Sequence, residues 1–163
     1  MKKTINYIVI IISIILLFFL IKGMIYGNRL KDIGINLEIN TDSCKIEESK
    51  DTHGGILGDG DYFAKISCSK IPELQGYWKK LPLPSEIDKV LSTKFCNDDS
   101  CKDVYERYLI PKLESGYYYF FDRHDLATDI YDPSELNNRS SWNFTVAIYD
   151  FKENIIYYYE LDT

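Results

Sequence analysis

Two short segments hold the residue types that could do chemistry. The first is Asp51-Thr52-His53-Gly54-Gly55-Ile56-Leu57-Gly58-Asp59-Gly60-Asp61. It has four Gly in seven positions, three Asp and one of the chain's two His. Gly permits positive φ and lets a backbone approach a ligand closely. Asp51, Asp59 and Asp61 offer hard oxygens to a cation such as Ca²⁺, with His53 a softer ligand. The spacing departs from an EF-hand loop and lacks its bidentate Glu. No Gly-Lys-Ser/Thr follows, so this is not a phosphate loop. A plainer reading competes and is favoured. In it the segment is a wide hairpin loop, where Gly54, Gly55, Gly58 and Gly60 meet turn dihedrals and the Asp make Asx-turns.

The second segment is Asp122-Arg123-His124-Asp125. His124 between two Asp is easy to protonate, because nearby carboxylates favour the imidazolium. A stable metal site wants three or four ligands, so the two segments would have to meet. No Gly-x-Ser-x-Gly elbow occurs. No Cys-His nucleophile stands out either, because the cysteines read as structural. No catalytic residue is assigned and no cofactor is expected. The alternative is a metal- or carboxylate-dependent hydrolase built on the Gly/Asp/His loop and the Asp-Arg-His-Asp segment.

The elements around these segments decide whether they meet. Lys45–Ser49 and Tyr62–Cys68 read as strands either side of the Gly-rich loop. Tyr117–Phe121 is a continuous aromatic strand, apolar on both faces and expected in the centre of its sheet. If 62–68 and 117–122 are antiparallel neighbours, Asp61 and Asp122 lie at the same sheet edge; with a parallel crossover through the helices they lie at opposite ends. Trp142–Ile148 and Ile155–Leu161 form a hairpin about Phe151–Asn154. Ile35, Leu37 and Ile39 alternate with polar residues, which predicts a half-buried strand. Ile87, Val90, Leu91 and Phe95 share a helical face behind Ser85, and a second helix is expected to start at Ser100 with Asp103 as its capping-box partner. The expected fold is α+β. An N-terminal transmembrane helix precedes a small domain with a mainly antiparallel sheet of about four or five strands and two short helices over one face.

Four cysteines, Cys44, Cys68, Cys96 and Cys101, allow three pairings. A hairpin centred on Ile56 sets Cys44 opposite Cys68, at a Cα separation within disulfide reach. Cys96 and Cys101 enclose a short polar turn. Four free thiols and a tetrathiolate zinc site are the rivals, though CxxC pairs are missing. Disulfides would place the domain in an oxidising compartment.

Charge divides the chain. The first 23 residues hold three Lys and no acid, and an apolar run extends from Ile5 to Ile21. The remaining residues carry 16 Lys/Arg against 25 Asp/Glu, a net −9. So acidic a body argues against nucleic-acid binding, and its 14 Tyr, 8 Phe and 2 Trp argue against disorder. Residues 1–27 read as a cytoplasmic tip and single transmembrane helix. The run exceeds a usual signal-peptide core, and no small-x-small cleavage pattern follows it. A cleaved signal is the alternative. Residues 28–163 form the extracytoplasmic domain, with the N-terminus inside.

Several stretches together resemble a family of small, uncharacterised, N-terminally membrane-anchored proteins of low-GC Gram-positive bacteria. These are Asp51-Thr52-His53-Gly54-Gly55 with Gly58-Asp59-Gly60, Trp78-Lys79-Lys80-Leu81-Pro82-Leu83-Pro84, Gly116–His124, Ser141–Asp150 and Tyr158–Asp162. The resemblance covers most of residues 45–162. Members often carry His at the position of Leu57, so Leu there weakens a metal proposal. The family brings no established activity, and the resemblance implies location and fold rather than function. The expected role is a non-enzymatic binding module at the cell envelope. Its expected partners are the membrane and an envelope or secreted protein; an immunity-like role against a secreted toxin would fit.

Overall fold

The computed structural model describes residues 12–15, 17, 29–54, 58–94, 101–124 and 127–163. Its centre is a six-stranded antiparallel sheet in the order β1-β2-β6-β5-β4-β3. The strands are β1 (Cys44–Asp51), β2 (Gly60–Cys68), β3 (Lys79–Lys80), β4 (Tyr117–Asp122), β5 (Asn143–Asp150) and β6 (Ile155–Asp162). The domain is α+β. Its sheet exceeds the expected four or five strands because two-residue β3 adds an edge beside β4. The aromatic strand β4 is therefore fifth in the order and not central.

Both expected hairpins form. Asn143–Asp150 and Ile155–Asp162 pair about a turn in which Asn154 adopts φ 57°. In the first hairpin Cys44 faces Cys68, and the two are joined in a disulfide. A bulge between Ile46 and Glu48 then shifts the register, so Asp51 faces Tyr62. Cys101 is also disulfide-bonded. Its expected partner, Cys96, lies outside the described residues, as do Phe95 and Ser100.

The predicted strand at 35–39 is instead the end of a helix, α1 (29–37). Leu30, Ile33 and Leu37 repeat at helical spacing, and the last two are fully buried. Ile35, which the alternation would bury, is 67% exposed. The helix stops at Glu38, whose φ is 55°. Ile39 N–H donates to Gly34 O (2.9 Å) and Glu38 N–H to Ile35 O (3.2 Å), a Schellman closure. Ile39 is thus the apolar anchor after a helix, and its spacing from Leu37 mimics a strand.

Helices cover both faces, not one. One face packs Phe63, Phe120, Phe144 and Tyr159 against α2 (Ser85–Leu91), α3 (Val104–Tyr108) and a 3-10 helix (Pro133–Asn138). The other packs Ala64, Tyr119, Tyr149 and Tyr158 against α1 and Trp78. Asp103 caps α3 by accepting from Glu106 N–H (2.8 Å). Ser85 does not cap α2; Pro84 holds that position, and Ser85 Oγ turns to Glu86. Asp88 accepts from the Tyr105 hydroxyl (2.7 Å), which ties α2 to α3.

Residues 12–15 and 17 are helical, with Ile12, Ile14, Ile15 and Leu17 exposed. Among the described residues no helix is long and apolar enough to cross a membrane. Most of the expected span lies outside the described residues.

The helix and strand readings of 35–39 separate on mutation. Leu37→Ala is expected to destabilise the fold by about 3 kcal/mol. Ile35→Ala is expected to change stability by less than about 0.5 kcal/mol. Denaturant titration of the two variants checks this.

Candidate functional site

Strand order brings the two chemical segments to one edge. β2 and β4 run antiparallel to each other, separated by β6 and β5. Asp61, Leu161, Phe144 and Asp122 form one cross-strand row. In the row beyond it, Gly60 pairs with Asp162 and Asp162 with Asn143, while Arg123 N–H donates to Asn143 O (2.7 Å). The Gly-rich loop, the end of β4 and the end of β6 therefore meet.

The loop is folded onto itself. Thr52 N–H donates to Asp61 O (2.8 Å), Asp61 N–H donates to Thr52 Oγ1 (2.8 Å), and Gly54 N–H donates to Asp59 O (3.3 Å). A Cβ on Gly60 would stand 2.5 Å from His53 Cα, so only Gly lets the two arms touch there. Gly58 takes φ +75° in the turn. Gly55 lies outside the described residues, as do Ile56, Leu57 and Asp125.

His53 sits between two carboxylates. Its Nδ1 lies 2.7 Å from Asp51 Oδ1 and its Nε2 lies 3.0 Å from Asp162 Oδ2. Arg123 Nη1 lies 3.0 Å from the other oxygen of Asp162. Asp162 thus clamps the loop to the end of β4. Partial burial alone would lower the His53 pKa, but hydrogen bonds to Asp51 and Asp162 outweigh it and raise the pKa above 6.5. Burial would raise Asp51, but the bonds to His53 hold its carboxyl below the usual range.

The two buried aspartates of the row are already paired. Asp61 accepts from the Thr52 hydroxyl, from the Tyr159 hydroxyl (3.2 Å) and from Arg107 Nη1 (3.4 Å). Burial first, then the Asp61 charge, pushes the Tyr108 and Tyr159 hydroxyl pKa values well up. Asp122 accepts two bonds from Arg139, at 2.9 and 2.5 Å, and one from His124 N–H (3.0 Å). His124 Nε2 lies 3.3 Å from Ser141 Oγ. His53 and His124 therefore have separate partners. Among the described residues no group of three or more His, Cys, Asp or Glu is placed to hold a metal ion. A polar cleft of about 400 Å³ opens beside the loop, lined by Thr52, Asp59, Gly60, Asp61, Arg107 and Asp162 among others.

Asp51, His53, Asp59, Asp61, Asp122 and His124, candidates whose meeting the sequence left open, lie at this edge, together with Asp162, Arg107 and Arg139, which the sequence did not single out. One signal was available. Asp61 and Asp122 sit in phase with the apolar residues of their strands, and an inward-facing carboxylate demands a cation. No family profile, no curated protein and no solved structure matches the chain.

The geometry sets two expectations. Because the folded pKa of His53 is raised, its pairing contributes fully below pH 6.5 and is lost as pH rises through the folded value. Imidazole titration followed by NMR is expected to give a His53 pKa above 6.5, falling in Asp162→Asn; an unshifted value in both proteins contradicts the clamp. Asp122→Ala strands Arg139 in the interior, at a cost of about 3–5 kcal/mol. Asp162→Ala, at the half-exposed rim, is expected to cost about 1 kcal/mol or less. Denaturant titration of these two variants decides.

Proposed function

We propose that the protein is a membrane-anchored, extracytoplasmic binding module of the cell envelope, and not a hydrolase. One observation carries the second half of this reading. Among the described residues, three of the groups that suggested catalysis, Asp61, Asp122 and His53, are committed to partners within the protein. Asp61 is held by Arg107 and Thr52, Asp122 by Arg139, and His53 by Asp51 and Asp162. A general acid or base must be within reach of a substrate proton. Ion pairs of this kind hold secondary structure together, and they occupy Asp61 and Asp162, two of the carboxylates that line the cleft.

The placement rests on other features. The disulfide between Cys44 and Cys68 fits an oxidising compartment. The apolar run Ile5–Ile21 fits a single membrane span with the acidic domain outside. The resemblance to small anchored proteins of Gram-positive bacteria supports the same placement. An envelope protein or a secreted toxin is the partner class this location offers.

Two measurements on the full chain test the proposal. Produced in a bacterial host, it is expected to stay in the membrane fraction after high-salt washing and to be digested by protease added to intact cells. Protection from that protease, or release into the medium, refutes the placement. The purified full chain is expected to leave ester, phosphodiester and peptide chromogenic substrates intact in Mg²⁺, Ca²⁺, Mn²⁺ or Zn²⁺. A metal-dependent turnover abolished by His53→Ala would replace the binding reading with the hydrolase one.

A further inference from the structure

Both nitrogens of the His53 ring face a carboxylate. Nδ1 lies 2.7 Å from Asp51 Oδ1, and Nε2 lies 3.0 Å from Asp162 Oδ2. An ionised carboxylate only accepts hydrogen bonds, and a neutral imidazole carries a single N–H. Only the imidazolium, which donates from both nitrogens, satisfies this arrangement. When its proton passes to solvent water, one ring nitrogen turns a lone pair toward a carboxylate oxygen. One of the two contacts must then open.

The surroundings decide which. Asp51 Oδ1 also accepts the backbone N–H of His53 (3.1 Å). That bond is local and does not depend on the ring's charge, so it keeps Oδ1 beside Nδ1. Asp162 has a second partner. Arg123 Nη1 lies 3.0 Å from its Oδ1, and Arg123 Nη2 donates to its Oδ2 (3.3 Å). This is a two-pronged contact, the strong form of an Arg–carboxylate pair. Arg123 Nη2 also donates to Phe144 O (3.2 Å), which holds the guanidinium in place. Asp162 therefore stays paired when His53 lets go. The remaining ring proton belongs on Nδ1, and the Nε2–Asp162 contact is the one that opens.

The charged groups around the ring come from four strands or their ends and one helix. Asp51 ends β1 and Asp162 ends β6. Arg123 follows β4 and acts through Asp162. Asp59 and Asp61 stand on the facing arm of the hairpin, and Asp61 is taken by Arg107. Arg29 of α1 acts on Asp51 at longer range. The two carboxylates in contact with the ring outweigh its partial burial and raise the His53 pKa above 6.5.

The contact that opens is a link between elements. His53 lies on the arm that leaves β1, and Asp162 lies on β6, with β2 between β1 and β6 in the sheet. The arm's backbone ties run to the facing arm instead, from Thr52 N–H to Asp61 O and from Gly54 N–H to Asp59 O at 3.3 Å. Thr52, Gly60 and Asp162 also line the polar cleft, so the link stands at its edge.

We propose that His53 is a proton-operated latch on this edge of the sheet. With the proton bound, it joins the arm after β1 to the end of β6. Without it, the ring keeps Asp51 and leaves Asp162 to Arg123, and residues 53–54 are freed from β6. The edge of the cleft then gains one negative charge and loses a bridging side chain. The latch depends on these residues alone and holds whether or not the domain lies outside a membrane.

NMR on the full ¹⁵N-labelled chain in detergent micelles tests the latch in two ways. Ring nitrogen correlations more than a unit above the His53 midpoint are expected to show the Nδ1–H tautomer. The Nε2–H tautomer there overturns the proposal, and this measurement needs no variant. Amide exchange at Gly54 is then compared with the same amide in Asp162→Asn at equal pH, so that the intrinsic pH dependence of exchange cancels. Below the midpoint Gly54 is expected to exchange several-fold more slowly in the natural chain than in the variant. Above the midpoint the two rates are expected to converge. Equal rates throughout show that the contact holds nothing, and a difference that persists above the midpoint shows that it survives loss of the proton; either overturns the latch. Arg123→Ala leaves Asp162 with His53 alone and is expected to raise the midpoint. An unchanged or lower midpoint contradicts the sharing of Asp162 on which the release depends.

Discussion

Three carboxylates are buried near one end of the sheet, and each is met by an arginine that reaches it from a partly exposed position. Asp61 on β2, Asp122 on β4 and Glu160 on β6 are all buried. Arg107 of α3 meets Asp61, Arg139 after the 3-10 helix meets Asp122, and Arg29 of α1 meets Glu160. An unpaired charge in such a place costs several kcal/mol. Each covering element is therefore fixed at one point as well as packed along its length. Arg29 shows both roles, since its guanidinium also lies 4.1 Å from the centre of the Tyr62 ring. Burial works against its charge, but Glu160 together with Tyr62 and Tyr158 more than compensates and the Arg29 pKa is raised. A lysine could not reproduce the two-pronged contact of Arg139 on Asp122.

The same constraint explains why this edge looked reactive in the sequence. Asp next to His, and Asp within a glycine-rich loop, are the residue types of catalytic and metal sites. Here His53 and Asp162 serve to tie a loop to a strand end, with Arg123 completing the clamp. Gly60 is needed because the two arms of the hairpin touch, and no ligand is required to explain it.

The legible parts of the fold were those with local, periodic causes. The β5–β6 hairpin follows from alternation and a short turn, and the Cys44–Cys68 pair from symmetry about the loop. Next to the loop the strands pair one residue off that symmetry, Asp51 with Tyr62, and the bulge at Ile46–Glu48 brings Cys44 back opposite Cys68. Residues 35–39 misled because Leu37 is the last buried helical residue and Ile39 the anchor of the helix stop. The two positions are apolar for different reasons. The ion pairs were not legible, because Arg29 is 131 residues from Glu160 and Arg107 is 46 from Asp61. No local spacing rule joins partners that far apart.

β6 has a consequence for how the domain comes into being. It is the sixth strand in sequence yet third in the sheet, hydrogen-bonded to β2 on one side and β5 on the other. β1 and β2 are synthesised early and can form their hairpin, but no neighbour can bind the free edge of β2 until residues 155–162 have been made. Closure then joins residues about a hundred apart, such as Gly60 and Asp162, the kind of distant pairing that slows folding. Until then the six-stranded sheet cannot close. The topology thus delays the compact state until the last strand has been made, and makes the order of strands in the sheet a timer for folding.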